Sequence, residues 1–173
     1  DDLGILIKMA VLCNDSDLTF QDGTWKAIGD PTEAALIVMG KKSGFLKSKL
    51  EKENPRVAEI PFNSINKIMV TEHLSQDGKK FMALKGALEV ILPLCSHFSN
   101  QGEKKHLDDE LIKKIHHWGN QLAHEALRVL AMAYIPGKAL GSDNIDNLKN
   151  KAVFLGLIGQ IDPPREEVAE AIK

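Results

Sequence analysis

Residues 57–85 read VAEIPFNSINKIMVTEHLSQDGKKFMALK. Three short runs in this stretch, Val57–Pro61, Lys67–His73 and Lys80–Lys85, carry the β-branched and apolar residues expected of strands, and turn formers separate them. Gln76-Asp77-Gly78 marks a tight hairpin between the last two. Elsewhere the chain alternates helix signals with further turn signals. Hairpins and separated helices, without a strict βαβ alternation, point to an α+β fold built on an antiparallel sheet.

Leu3–Leu12 has apolar residues at helical spacing, and Asn14–Asp17 break that pattern. Leu18–Phe20 and Trp25–Ile28 flank Asp22-Gly23, a second hairpin. Asp30-Pro31-Thr32-Glu33 opens a helix: Asp30 caps it, Pro31 suits its first position, and Glu33 stands where a capping box places a carboxylate. That helix runs to about Lys42 and ends at Gly44, and Phe45–Glu53 reads as a more polar one. Leu88–Cys95 and the longer Leu107–Leu127 read as helices. Arg128–Ile135 is β-like, Pro136–Asn150 is a loop, and Ala152–Ile161 is a buried strand that Asp162-Pro163-Pro164 stops.

The 173 residues suffice for one ordinary domain. With 43% apolar and 27% charged residues the composition is that of a soluble protein. A net charge of −2 carries no footprint for nucleic acid or for an anionic membrane surface. No apolar run approaches the roughly 18 residues that a membrane-spanning helix needs, so no direct membrane insertion of this piece is expected. Cys13 and Cys95 stand far apart and outside any CxxC pair, which suits buried free thiols. The chain opens on Asp1 without an initiating Met, as an excised piece of a longer protein would.

Common phosphate-binding signatures are missing: neither GxxxxGK[ST] nor GxGxxG occurs. His117 and His124 on the long helix lie two turns apart, too far for the usual adjacent-turn metal pair. Four other segments stand out in combination: Gly29-Asp30-Pro31-Thr32-Glu33, Pro61-Phe62-Asn63-Ser64 through Lys67, Lys85-Gly86-Ala87-Leu88-Glu89, and Leu127-Arg128-Val129-Leu130. Taken singly they read as a helix cap, a core aromatic, a turn glycine and a surface cation.

In order and spacing, these segments resemble the nucleotide-binding domain of P-type cation-transporting ATPases of the calcium-pump and sodium/potassium-pump type. Ile60–Lys67 (IPFNSINK) is similar to the sodium/potassium branch, and GDPTEAAL to the bacterial and secretory-pathway calcium branches. Cys13-Asn14 matches the family's Cys-Asn pair, and Gly159–Arg165 (GQIDPPR) resembles the strand and hinge that rejoin the phosphorylation domain. The likeness covers Leu3 to Arg165. The chain departs from the usual Lys-Gly-Ala-Pro-Glu in having Leu88 for the proline, which would loosen the helix entry.

The resemblance implies an antiparallel sheet of six to seven strands flanked by helices, with residues 1–173 forming the domain and 162–173 starting the hinge. It implies a cytoplasmic domain of an integral membrane protein that works with the phosphorylation and actuator domains of the same pump. It further implies ATP and ADP as ligands, with Mg²⁺ held mainly by the phosphates and the phosphorylation domain. Phe62 would stack on adenine, Glu33 accept from the adenine amino group, and Lys85 pack its stem on the base while its ammonium meets negative charge. Gly86 would allow close backbone approach, Arg128 offer its donor fork to a phosphate, and Ser64 and Lys67 reach the ribose or phosphates. The DKTGT, TGES and GDGxND segments of a whole pump are absent, so the isolated domain is expected to bind ATP and not to hydrolyse it. The expected fold-neutral tests are Phe62→Ala and Lys85→Glu. A nucleotide-free interaction module and a small haloacid-dehalogenase-type phosphatase are the competing readings, and the second lacks its DxDx motif.

Overall fold

In the computed structural model, which describes residues 1–137, 140–141 and 144–161, the chain runs through α1 (Asp2–Leu12), β1 (Asp17–Gln21), β2 (Thr24–Ile28), α2 (Pro31–Lys42) and α3 (Lys47–Glu53). There follow β3 (Arg56–Asn63), β4 (Ile68–Leu74), β5 (Lys80–Gly86), α4 (Leu88–Ile91), a 3₁₀ turn (Leu92–Leu94), β6 (Cys95–Asn100) and β7 (Glu103–His106). The chain then continues with α5 (Asp109–His124), β8 (Leu127–Pro136), a second 3₁₀ turn (Ile145–Leu148) and β9 (Ala152–Ile161). The expected hinge, 162–173, lies outside the described residues.

The architecture is α+β, as expected. Strands β3-β4-β5-β8-β9-β6-β7 form one seven-stranded sheet in that order, and β1 and β2 form a separate hairpin. All neighbours in the large sheet are antiparallel except β6 and β9, which run parallel from Cys95↔Ala152 to Phe98↔Phe154. A central strand covered on both faces cannot alternate apolar with polar, and β4 is buried at every position from Ile68 to His73.

Helices cover both faces. On one, Ile68, Val70, Met82 and Leu84 pack with Ile91, Ile115 and Phe154. On the other, Met69, Ala83 and Met132 pack with Leu12, Leu36 and Leu50 of the three N-terminal helices. Leu12 and Leu36 are fully enclosed; truncating a leucine so placed to alanine costs about 2–5 kcal/mol. Cys13 and Cys95 are buried and unpaired, and burial pushes the Cys95 thiol up to about 12. Among the described residues no helix is long and apolar enough to cross a membrane.

Three sequence expectations are corrected. Leu88–Cys95 is not one helix: Pro93 sits in the 3₁₀ turn that follows α4, and Cys95 already begins a strand. The long helix spans Asp109–His124, because Asp108 caps it by accepting from Leu111 N–H at 2.8 Å and Ala126 leaves helical geometry at φ +58°. Strands β6 and β7 fall in a stretch that the sequence reading leaves without strands.

Candidate functional site

A cleft of about 530 Å³ opens where the N-terminus of α2, the end of β3, the end of β5 and the start of β8 converge. Glu33, Phe62, Lys67, Lys85, Gly86 and Arg128 all line it. The structure therefore gathers six of the seven expected residues. Ser64 is the exception: it is exposed on the β3–β4 turn and is not among the lining residues. That turn is organised by Asn63, whose carboxamide oxygen accepts from Ile65 and Asn66 N–H at 3.1 and 2.7 Å.

Phe62 owes its exposure to a strand irregularity. β3 is an edge strand, where Pro61 removes no needed ladder bond. The register slips between Ile60↔Val70 and Asn63↔Ile68, so Pro61 and Phe62 together face Met69. A bulge of this kind re-aims the side chain it carries. Phe62 is left 56% exposed at the cleft, the opposite of a core aromatic.

Glu33 and Lys85 form the floor. Asp30 caps α2 through Oδ1, accepting from Thr32 and Glu33 N–H at 2.8 and 3.1 Å, and Pro31 follows it as expected. The reciprocal half of a capping box is not made. Instead Glu33 Oε1 lies 2.5 Å from Lys85 Nζ and Oε2 accepts from Asp15 N–H at 2.9 Å. Both side chains are largely enclosed. This corrects two expectations. The Lys85 ammonium is met by a protein carboxylate rather than left for a ligand's charge. Lys85→Glu would also force two carboxylates together, so it is not a fold-neutral substitution.

Gly86 also has a structural reason. A Cβ there would stand 2.4 Å from the Lys67 carbonyl oxygen, and Ala87 N–H donates to that same oxygen at 3.0 Å. The close approach is thus between β5 and the β3–β4 turn. Leu88 starts α4 and packs toward Gly119 of α5, where even a Cβ would meet its Cδ2 at 2.6 Å. The Ala87–Lys67 bond lies at the entry to α4.

At the rim, Arg128 Nη1 donates to Thr32 Oγ1 at 2.5 Å. Its register partner Gln160 donates from Nε2 to the Thr32 carbonyl at 3.0 Å. Lys67 pairs with Glu89 at 3.4 Å, both well exposed, a contact worth at most about 1 kcal/mol.

Residues beyond the expected set support this arrangement. Asn14 is fully buried; its Nδ2 donates to the Glu33 carbonyl at 2.9 Å and its Oδ1 accepts from Ser16 N–H at 2.9 Å. Arg56 donates to the Asn14 carbonyl at 2.8 Å and pairs with Asp15 at 2.6 Å. Gly29, at φ +103°, lies so close to Ser16 that a Cβ would meet its Oγ at 2.6 Å. The Cys13-Asn14 pair and the full GDPTE segment were the available signals.

Comparison with known proteins identifies what the chain is similar to. Residues 2–167 match the family described as P-type ATPase, cytoplasmic domain N. The chain is 38% identical over 170 residues to calcium-transporting ATPase 1 of Bacillus cereus, covering 97% of this chain and 18% of that protein. It is 35% identical over 168 residues to the calcium-transporting ATPase of Bacillus subtilis, covering 97% and 19% respectively. It is 31% identical over 182 residues to the human sodium/potassium-transporting ATPase subunit alpha-4, covering 97% and 18%. The chain thus spans about a fifth of the length of these relatives. A match over nearly every residue, on a sheet and cleft of this construction, places the chain in the family of cytoplasmic N domains of P-type ATPases.

Proposed function

We propose that the cleft binds ATP by its adenine and leaves the γ-phosphate projecting toward an aspartate in another domain of a cation-transporting pump. The observation that carries this is an exposed aromatic ring, Phe62, on the rim of a cleft whose floor is the buried Lys85–Glu33 pair. An aromatic face left bare at a polar-floored cleft suits a purine, and base–aromatic stacking contributes about 1–3 kcal/mol. With Nζ held by Glu33, the Lys85 stem packs against the base while the ammonium stays fixed. Each Glu33 oxygen keeps a lone pair beyond its present bond, so the carboxylate can still accept from an adenine amino group. Arg128, at the rim, would exchange its Thr32 contact for a phosphate oxygen.

The carboxylates lining the cleft are already engaged: Glu33 with Lys85, Asp15 with Arg56, and Asp30 with two N–H groups. They are a poor donor set for Mg²⁺, which demands octahedral oxygen ligands. The ion would therefore travel on the phosphates rather than on this chain's carboxylates. Binding, orienting the base and presenting the phosphates are this chain's part. Phosphoryl transfer and cation movement belong to the remaining four-fifths of a pump like the relatives.

Calorimetry of the 173-residue chain tests this reading. ATP and ADP should bind with Kd on the order of 0.1–10 mM, since most phosphate contacts lie elsewhere. Nanomolar affinity, or none, would contradict it.

A further inference from the structure

The outer hairpin of the large sheet sets two histidines opposite one another. β6 and β7 pair in the register His97↔His106 through Asn100↔Glu103, and β7 is the sheet's edge. Leu107 N–H donates to the Ser96 carbonyl at 3.0 Å, which makes Ser96/Leu107 a hydrogen-bonded position. His97/His106 is then a non-hydrogen-bonded pair, where Cα atoms come within about 4.5 Å and side chains approach most closely. The two imidazole centroids are 6.0 Å apart with the rings nearly perpendicular at 84°. His97 is half-buried and His106 exposed.

A tetrahedral ion bonded at about 2.0–2.1 Å to one nitrogen of each ring would hold the centroids roughly 5 Å apart. Rotation of the exposed His106 side chain closes the remaining distance. His97 Nδ1 lies 2.9 Å from Ser96 Oγ. With the Nδ1 proton donated to that hydroxyl, Nε2 presents its lone pair, the arrangement by which a second partner orients a ligating histidine. Asp2 supplies negative charge on the same face, accepting from the Ser99 hydroxyl at 2.6 Å two residues along β6. On that face Lys104 extends over the Tyr134 ring, its Nζ 5.8 Å from the centroid.

We propose that His97 and His106 form a two-histidine chelate for a divalent transition ion of the Zn²⁺, Ni²⁺ or Cu²⁺ type, with solvent completing the coordination. Imidazole nitrogens select such ions, whereas Ca²⁺ and Mg²⁺ require oxygen ligands that this pair does not offer. An ion bound across the two strands fastens the edge strand to its neighbour and stabilises the folded chain by mass action.

The test uses the whole chain and the free ions. Substoichiometric Cu²⁺ should broaden amide resonances centred on residues 96–99 and 104–107, reversibly on adding a chelator. Zn²⁺ should titrate the same region with a midpoint on the order of 10 µM and raise Tm at excess. His97→Gln and His106→Gln should each weaken binding at least tenfold, while His117→Gln on α5 leaves it unchanged. Broadening centred on α5, survival of binding in both hairpin variants, or an equal response to Mg²⁺ would overturn the proposal. The Cu²⁺ map of the unaltered chain decides it even if a hairpin variant folds poorly.

Discussion

Lys85 Nζ and Glu33 Oε1 lie 2.5 Å apart, although 52 positions separate the two residues. The pair ties the centre of the sheet to the first turn of α2, and it is enclosed on nearly all sides. Removing either partner strands the other charge away from water. Lys85→Met or Glu33→Ala alone should cost about 3–5 kcal/mol. The double variant Lys85→Met/Glu33→Leu should lose much less than the sum. Urea unfolding of the four proteins measures the coupling, and additive losses would show that the pair is not energetically linked.

Arg128 is exposed at the cleft rim and donates to Thr32. If its fork serves a phosphate, Arg128→Ala should weaken ATP binding several-fold and leave adenosine binding nearly unchanged. Comparing both ligands by calorimetry separates this from a role in base binding, which would weaken the two alike.

His73 is fully buried on β4, with Nδ1 2.9 Å from the Asn54 carbonyl and Nε2 2.8 Å from Thr71 Oγ1. A carbonyl only accepts, so Nδ1 carries the proton and Nε2 accepts from the threonine hydroxyl. Burial, with smaller contributions from the Arg56 and Lys8 charges, lowers its pKa from 6.5 to about 4. The unfolded chain therefore binds a proton more readily than the folded one. The stabilisation is complete above about pH 6.5 and is lost as pH falls toward 4, by up to about 3 kcal/mol. Stability measured from pH 7 to 4 should fall more steeply in the parent than in His73→Gln. Equal slopes would remove His73 as the cause.

Much of this structure is readable from the chain. The strands within 57–85 announce themselves because turn formers bound each run, and α2 does so because Asp30 and Pro31 act locally. The β6–β7 hairpin does not. Glu103–His106 is an exposed, charged edge strand with no apolar alternation, and β6 joins the sheet through a parallel pairing with β9, nearly sixty positions away. Its one local signal is the turn, where Gln101 and Gly102 both adopt positive φ, at 55° and 79°. In the site, Glu33, Phe62, Lys85 and Arg128 could be singled out by their segments. That Glu33 turns from its own helix cap to Lys85 is a long-range contact that no local pattern encodes. Ser64 and Lys67 share the segment of Phe62, and of the two only Lys67 lines the cleft, because position along a turn does not by itself fix which side chain faces inward.

The most direct test of the nucleotide site is an amide chemical-shift map of the chain titrated with ATP, repeated with Phe62→Ala. Perturbations should centre on Glu33, Phe62, residues 85–87 and Arg128, with affinity at least fivefold weaker in the variant and its remaining spectrum intact. Perturbations centred away from this cleft, or a titration that Phe62→Ala leaves unchanged, would contradict it.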